Sequence, residues 1–502
     1  MSDAMLALDL GTSSVKAALV AGNGEVLGIA RATYPTHQPH PGWSEQNPAD
    51  WWQAVAAATR ELTAAHREAD VAAIGLTGQM HGTVLLDREG IFLDPAIIWS
   101  DRRSAAQQAT IAEEIGPDLP RLIGGPLGVG YQATTLRWLA EQRPELVAQI
   151  GGVLLPKDAL GYHLTGVRAT EPSDAISTGL LDAETWTWSP PMIAASHVDA
   201  AWLPLVVPSG SIIGQLRADR AAELGLPADI PVVLAGGDAP SAAFGADVTT
   251  PDTAMLVLSS GAQVIVPTPG FAPDATGRWH TFPSAVGRHG IGELRNRVGA
   301  TSNAGLALQW LGERLAKSVK ALLDDARDTR PGAEGVVFVP HLTGMRTPVV
   351  DPQARGAFFG LTNAHDDGAL ARAAIEGILF ACRDVFTTLM QGGQVPSRIR
   401  VGGGIAHHAM IGSLVANIFA MEVEMLDSPD LTVIGAARSA ALAIGWGDPL
   451  VSLTPTAISE PDPDLAAWYG ECLGVYQAAS NASRDIAHRF ARLDDLPRGH
   501  AW

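Results

Sequence analysis

The chain has 502 residues and a formal net charge of −19. Because one hydrophobic core stops growing at about 250–300 residues, two large domains are expected. A hydrophobic fraction of 47% with 17% charged residues is typical of a globular protein. The acidic balance disfavours nucleic acids and anionic membranes as partners, and no apolar run approaches the roughly 20 residues of a membrane helix. The N-terminal residues lack the basic region of a secretory signal, which predicts a cytoplasmic protein.

The two cysteines, Cys382 and Cys472, both lie in segments with a helical pattern. Two cysteines cannot form a disulfide framework, and neither has the spacing of a metal ligand. Both are therefore predicted to be ordinary core or surface thiols.

The first elements along the chain are two strands within the apolar stretch 6–20, joined by a Gly-Thr-Ser-Ser turn at 11–14. A Gly-Asn-Gly turn follows, and a third strand is expected to begin near Val26. Helical periodicity over 50–65 then gives way to a short buried-strand pattern at 71–76. Alternation of this kind predicts an α/β fold.

Three further segments, from residue 231 onward, combine strands with small-residue turns. A buried strand at 231–235 ends in Gly-Gly-Asp, a hairpin at 254–266 surrounds a Ser-Ser-Gly turn, and a strand at 399–401 ends in three glycines before a helix over 408–419. The hairpin at 254–266 repeats the pattern of the first one. This predicts an internal repeat, with a domain boundary near 246–252.

Turns of this type expose several backbone N–H groups in one concavity, which is suited to bind phosphate. The sequence contains no Gly-Lys-[Ser/Thr] triplet of a Walker A loop, since none of its lysines follows a glycine. The candidate phosphate contacts are therefore the residues of the three turns, Thr12, Ser13, Ser260, Gly261, Gly403 and Gly404.

Two aspartates stand beside these turns at predicted strand ends. Asp9 precedes Gly-Thr-Ser-Ser, where a carboxylate is well placed to hold Mg²⁺. Asp238 ends the Gly-Gly-Asp strand and could accept the proton of an attacking substrate hydroxyl. A small-residue helix follows Asp238, so from the residues alone a helix N-cap is a slightly more natural interpretation than a base.

Short motifs follow one another along the chain in a specific order. They lie at residues 9–16, 43–48, 51–52, 78–82, 155–158, 236–238, 346–348, 356–362 and 402–404. In this order they resemble the FGGY family of carbohydrate kinases, and among its branches most closely the xylulokinases. The Gly-Gln-Met-His-Gly motif at 78–82 is the most xylulokinase-like of them.

The resemblance implies an α/β protein with two domains of the actin/hexokinase-like (ribonuclease H-like) superfold and an active site in the interdomain cleft. It places a sugar-binding domain at 1–248, a nucleotide-binding domain at 249–445 and a helical segment at 446–502 that packs back on the body. It also implies phosphorylation of a small open-chain sugar, D-xylulose before others, with ATP and Mg²⁺. The oligomeric state stays open, a homodimer included.

The resemblance assigns roles to individual residues as well. It implies that Asp238 is the general base, that Asp9 lies near Mg²⁺ and that Met80 and His81 contact the sugar. It makes Gly305 and Gln309 candidates for contact with the nucleotide. From the residues alone, Met80 could equally be a core side chain, and His81 an exposed or capping one.

Several positions depart from the family pattern. Ala239 follows the catalytic aspartate where xylulokinase-like members usually have Asn, Ser259-Ser260-Gly261 replaces Gly-Thr-Gly or Gly-Thr-Ser, and Thr135 and Met345 stand where a lysine and an acid are common. These changes bear on substrate identity more than on reaction type. The alternatives are therefore a kinase for another ketose, a pentitol or an aldonate, and, more remotely, a non-catalytic or chaperone-like ATPase of the same superfold.

Overall fold

The computed structural model describes residues 2–286, 294–426, 430–448 and 454–493. The chain forms two compact units. The first contains Met1–Thr249, Pro269–Asn296 and Asp430–Leu453, and the second contains Thr250–Thr268, Arg297–Pro429 and Thr454–Trp502. Neither unit is one continuous stretch of sequence, because two later segments pack with the first unit.

Strands alternate with helices along most of the chain. The strands are β1 (Ser2–Leu10), β2 (Ser14–Ala21), β3 (Val26–Thr33), β4 (Glu45–Gln46), β5 (Ala69–Gly78), β6 (Thr83–Asp87), β7 (Phe92–Ile97), β8 (Ile150–Leu154), β9 (Ala169–Thr170), β10 (Leu205–Val206), β11 (Ser211–Gln215), β12 (Pro231–Leu234), β13 (Thr253–Leu258), β14 (Ala262–Pro269), β15 (His280–Pro283), β16 (Leu294–Thr301), β17 (Val337–Val339), β18 (Ala357–Phe359), β19 (Arg398–Gly402), β20 (Glu422–Met425) and β21 (Ala457–Ser459).

The helices are α1 (Pro48–Ala65), α2 (Ala105–Ile115), α3 (Leu119–Ile123), α4 (Gln132–Gln142), α5 (Pro144–Val147), α6 (Pro156–Thr165), α7 (Pro172–Ala175), α8 (Pro190–Ala195), α9 (Ala218–Leu224), α10 (Asp238–Gly245), α11 (Gly305–Leu315), α12 (Val319–Asp328), α13 (Asp367–Leu389), α14 (Met410–Phe419), α15 (Leu431–Ala443) and α16 (Pro463–Leu493). Cys382 and Cys472 lie in α13 and α16, as their helical patterns predicted.

The main sheet of the first unit has the strand order β11-β12-β5-β1-β2-β3. Strands β1, β5 and β12 run parallel, whereas β2 and β3 are antiparallel to their neighbours. Side chains alternate between the two faces of β1, and both faces are buried. Leu6 and Leu8 pack in the cluster that includes Trp51 of α1, whereas Met5 and Ala7 pack against the small residues of α15.

Helix α15 packs so closely on this sheet that β5 requires a glycine at one position. A Cβ atom on Gly75 would lie 2.2 Å from the carbonyl oxygen of Ala436 in α15. The alanine-rich face of α15 and the missing side chain at Gly75 therefore allow the helix to lie directly on the strand. A smaller sheet in the same unit has the order β4-β7-β6-β8.

The second unit repeats the strand pattern of the first. Strands β14, β13, β19 and β20 are neighbours, with β13 and β14 antiparallel and β13, β19 and β20 parallel. In the first unit β2, β1, β5 and β12 have the same order and directions. The predicted internal repeat is thus confirmed, together with both hairpins.

The last described element of the chain is the long helix α16. It packs against α14 and β17, which belong to the same unit. Of the predicted segment 446–502, residues 449–453 and 494–502 lie outside the described residues. None of the helices in the described ranges combines the length and the apolar character needed to cross a membrane.

Candidate active site

Three predicted site segments of the first unit follow neighbouring parallel strands. Asp9 is near the end of β1, the Gln79–His81 segment follows β5, and the Gly236–Asp238 segment follows β12. Since the sheet order is β12-β5-β1, their carboxyl ends meet at one edge of the sheet. Ligands of open α/β sheets bind outside this edge. The separate sequence motifs therefore converge on one location.

Asp9 is a buried carboxylate beside the ammonium group of Lys16. It pairs in register with Lys16 of β2, and the Nζ atom of Lys16 lies 3.7 Å from Oδ2 of Asp9. Burial raises the pKa of Asp9, and the Lys16 charge counteracts part of this effect. Its Oδ1 is buried and has no hydrogen-bond partner among the described residues.

Lys16 is shared with a second carboxylate that the sequence analysis did not single out. Asp430 lies at the start of α15, and its Oδ1 is 2.8 Å from the Nζ of Lys16. Arg31 of β3 donates to both oxygens of the same carboxylate, at 3.1 and 2.8 Å. Asp430 therefore holds Lys16 so that it does not fully neutralise Asp9.

The turn after β1 is anchored by long polar side chains. The Thr12 hydroxyl accepts a hydrogen bond of 2.9 Å from the indole N–H of Trp99, and the Thr12 carbonyl accepts one of 2.6 Å from Gln46. The backbone N–H of Tyr34 donates to the carbonyl of Ser13 at 3.3 Å. Ser13 itself is exposed, so its hydroxyl is accessible at the tip of the turn.

Asp238 is half-buried at the first position of α10, and the N-cap position is taken by Gly237. The helix N-cap interpretation of Asp238 is thus wrong in position, although its Oδ1 accepts a 2.7 Å hydrogen bond from the N–H of Ala239. The surrounding protein desolvates Asp238 and the charge of Asp9 repels it, which together raise its pKa to about 7.

The two glycines before Asp238 permit close packing on both sides. A Cβ atom on Gly236 would lie 2.9 Å from the Oγ of Ser173, and one on Gly237 would lie 2.7 Å from the Cγ of Met80. The segment that carries Asp238 is therefore wedged between Ser173 and Met80. Met80 is 6% exposed, so most of its side chain contacts protein.

His81 has a positive φ of 70°, which is uncommon for a residue other than glycine. Its backbone N–H donates to the Oγ of Ser177 at 3.0 Å, and its Nδ1 lies 2.8 Å from the Ser177 carbonyl oxygen. The imidazole also stacks on Tyr131 with ring centroids 4.3 Å apart. Since a carbonyl can only accept, Nδ1 carries the proton, and in the corresponding neutral tautomer Nε2 is an acceptor.

In the second unit the predicted phosphate turns lie next to each other. A Cβ atom on Gly403, whose φ is 100°, would lie 2.4 Å from the carbonyl oxygen of Leu258 at the end of β13. The glycine turn after β19 thus touches the strand that leads into Ser260 and Gly261. Ser260 and Gly404 are exposed.

Helix α11 begins against the same turn. The N–H of Gly305 donates to the Ser259 carbonyl at 2.8 Å, and that of Leu306 donates to the Ser260 carbonyl at 3.0 Å. A Cβ atom on Gly305 would lie 2.7 Å from the carbonyl oxygen of Ser259. Close packing against this turn therefore accounts for the glycine at this position. Gln309 lies one turn further along α11 and is exposed.

Models of known protein families match nearly the whole chain. The N-terminal domain of the FGGY family of carbohydrate kinases matches residues 4–245, and its C-terminal domain matches residues 254–444. The chain belongs to this family. It is an ATP-dependent sugar kinase, so the predicted family and enzyme class are confirmed and the chaperone-like ATPase is set aside.

Relatives in the FGGY family include enzymes for more than one sugar. The chain is 34% identical to the xylulose kinase of Escherichia coli K12 over 452 residues, which is 90% of this chain and 92% of that one. It is 27% identical to the gluconokinase of Bacillus subtilis over 519 residues, 99% of each chain. A crystal structure of a xylulose kinase from Brucella ovis is 32% identical, with a TM-score of 0.89, and the match covers 96% of this chain and 100% of that one. The predicted fold class is thereby confirmed.

Sugar kinases of this family are expected to use a divalent metal with ATP. No group of three or more His, Cys, Asp or Glu side chains in the described residues could form a metal site by itself. Mg²⁺ is commonly held by one or two carboxylates together with substrate phosphates. Asp9, with a buried and unpartnered carboxylate oxygen, fits that requirement.

Sequence reasoning missed the residues that hold the site in place, including Trp99, Tyr131, Ser173, Ser177 and Asp430. Glu171, followed by Pro172, carries a signal for a helix start, and Glu171 is indeed the N-cap of α7. Nothing in the local sequence links these residues to the motifs that they support.

Proposed function

We propose that this FGGY kinase phosphorylates D-xylulose to D-xylulose 5-phosphate, with Asp238 as the general base and Mg²⁺-ATP as the phosphoryl donor. The substrate rests on the xylulose kinases among its relatives, at 34% identity for the enzyme from Escherichia coli. The alternative is another ketose, a pentitol or an aldonate, favoured by the gluconokinase relative and by Ala239.

The observation that carries the mechanism is the raised pKa of Asp238. At about 7, this carboxyl is partly deprotonated at neutral pH and is a stronger base than an ordinary aspartate. It accepts the proton of the attacking hydroxyl, the terminal O5 of xylulose, while that oxygen bonds to the γ-phosphorus and ADP leaves. The transfer conserves charge because the proton moves to Asp238 as the new phosphate ester forms.

The sugar is held by the segment after β5. Met80 supplies an apolar wall beside Gly237, and Nε2 of His81 accepts a hydrogen bond from a sugar hydroxyl. The contacts of His81 with Ser177 and Tyr131 hold the ring in one orientation. Such preorganisation lowers the cost of ordering the site when the sugar binds.

The nucleotide is assigned to the turns of the second unit, with Ser260, Gly261, Gly403 and Gly404 facing its phosphates. Gly305 and Gln309 are assigned to its remaining contacts, and Thr12 and Ser13 to phosphate contacts from the first unit. Exposed backbone N–H groups and hydroxyls in these turns suit phosphate oxygens.

Asp9 would hold Mg²⁺ beside the phosphates. The ion, when bound, offsets the negative charge that develops on the transferred phosphoryl group. Lys16, held between Asp9 and Asp430, places a further positive charge at the same turn. Asp9 also raises the pKa of Asp238, so it affects the base in addition to holding the ion.

The test is a screen of ATP consumption against ketoses, pentitols and aldonates with the wild-type protein and with Asp238→Ala. We expect D-xylulose to be the best substrate and Asp238→Ala to lower its phosphorylation by about 10²–10⁴-fold, as is typical of a lost general base. Asp3→Ala, which removes an exposed carboxylate from β1, is the control and should retain activity.

Two results would contradict the proposal. A folded Asp238→Ala protein with a near-wild-type rate would exclude Asp238 as the base. Turnover of another class of sugar, with none of xylulose, would exclude the proposed substrate and leave the kinase assignment in place.

A further inference from the structure

A cluster of four fully buried charged side chains lies behind the first-unit site. Lys157 is surrounded by three carboxylates, with its Nζ 2.6 Å from Asp158, 3.5 Å from Asp174 and 3.9 Å from Glu171. Burial alone would lower the pKa of Lys157, but the three carboxylates outweigh it and raise that pKa. None of the four side chains is exposed, so none of them can touch a substrate directly.

Two carboxylates of this cluster each accept a hydrogen bond from a serine. The Oγ of Ser173 donates to Glu171 at 2.9 Å, and the Oγ of Ser177 donates to Asp174 at 3.3 Å. Both serines lie on the short segment that contains α7 and the turn after it, four residues apart. Lys157 therefore fixes the carboxylates, and the carboxylates orient both hydroxyls.

Each of these serine hydroxyls also accepts a backbone N–H from a site segment. Ser173 accepts from Gly237, the residue before Asp238, at 3.3 Å, and Ser177 accepts from His81 at 3.0 Å. A side chain on Gly236 would collide with the Ser173 hydroxyl, which shows how closely the two segments approach. In both connections a serine hydroxyl donates to a buried carboxylate and accepts a backbone N–H. One connection ends at Gly237 and the other at His81.

We infer that Ser173 and Ser177 are positioning residues, Ser173 for the base Asp238 and Ser177 for the sugar contact His81, both held by the buried Lys157 cluster. This inference rests on the proposed function, which gives Asp238 and His81 their roles. Burying a cluster of charged side chains costs more desolvation free energy than burying apolar residues of the same size. Its contribution here is the fixed orientation of two hydroxyls, which apolar residues could not provide.

The inference predicts different kinetic effects for two chemically identical substitutions. Ser177→Ala removes the acceptor of the His81 backbone N–H. It should raise the KM for the sugar about three- to tenfold, with kcat nearly unchanged, because a misplaced His81 loses its hydrogen bond to the sugar. Ser173→Ala frees Gly237 and should lower kcat by about the same factor, with KM nearly unchanged, because the misplaced base acts only in the transition state.

Ser196→Ala is the matched control for both variants. Ser196 is a fully buried serine of the same unit, and its hydroxyl has no hydrogen-bond partner among the described residues. It should therefore leave KM and kcat at wild-type values. Ser177→Cys and Ser173→Cys, which keep a weak donor and acceptor on a somewhat larger side chain, should show smaller changes of the same kind and serve if an alanine variant does not fold.

The measurement is steady-state kinetics with whichever sugar the wild-type enzyme phosphorylates best, together with sugar binding by calorimetry without ATP. The expected split between KM and kcat supports the inference. Two serine variants that match Ser196→Ala, or that change KM and kcat alike, would overturn it. The proposed function fails on other results, an active Asp238→Ala protein or no turnover of xylulose.

Discussion

The raised pKa of Asp238 predicts a pH dependence within the neutral range. The base form of this carboxyl is present above a pH of about 7 and is lost as the pH falls through that value. If only the deprotonated form reacts, the fraction of active enzyme is about one tenth at pH 6 and about nine tenths at pH 8. The kcat/KM for the sugar should therefore rise nearly tenfold between these two pH values.

Asp9→Asn should move this midpoint in a defined direction. Desolvation is the largest cause of the raised Asp238 pKa, and the charge of Asp9 is the second. Removing that charge should lower the midpoint, but burial should keep it above the ordinary value of 3.8. Asp3→Asn removes an exposed charge from the same strand and should leave the midpoint unchanged.

The assay is direct measurement of the sugar phosphate from pH 5.5 to 8.5 with saturating Mg²⁺-ATP. A phosphate group titrates near pH 6, so the nucleotide itself can contribute to the pH profile. This contribution is the same for every variant, and the difference between the midpoints of two variants therefore reports on the enzyme. A flat profile between pH 6 and 8 in the wild-type enzyme would refute the assignment of the base. A midpoint in Asp9→Asn that equals or exceeds the wild-type value would refute the electrostatic coupling of the two carboxyls.

Two further substitutions test the metal and the substrate. Asp9→Asn should raise the Mg²⁺ concentration that gives half-maximal activity, because a carboxylate near the ion is lost; an unchanged requirement would make Asp9 structural. Ala239→Asn should increase the preference for xylulose over two rival sugars, measured as a ratio of kcat/KM values, by up to about tenfold for one added hydrogen bond. An unchanged or lower preference would show that this side chain does not contact the distinguishing hydroxyl.

The elements that the sequence predicted well are those defined by neighbouring residues. The hairpin of β1 and β2 and that of β13 and β14 follow from apolar strands on both sides of a small-residue turn. Their repetition at half the chain also predicted that the second unit would restart the same fold. In both units the local pattern and the final packing agree.

Contacts between distant parts of the chain could not be predicted in this way. Helix α15 belongs to the first unit although it lies between two segments of the second unit in sequence. Its N-cap residue is Asp430, whose partner Arg31 is 399 positions away. The residues of α15 are buried on nearly all sides of the helix. Its sequence therefore predicts burial but does not indicate which sheet covers it, because that choice depends on shape, here on the gap left by Gly75.

The site also combines features set by neighbouring residues with features set by distant ones. The same aspartate can be ordinary or reactive, depending on which distant residues surround it. Asp238 follows a strand and opens a helix, and a carboxylate at a helix N-terminus ordinarily has a lowered pKa because the helix N–H groups favour its charge. The N–H of Ala239 does act in that direction. Burial of Asp238 and the charge of Asp9 on another strand act against it and prevail. The local sequence therefore places Asp238 between a strand and a helix but does not give the direction of its pKa shift, which depends on burial and on Asp9 of β1.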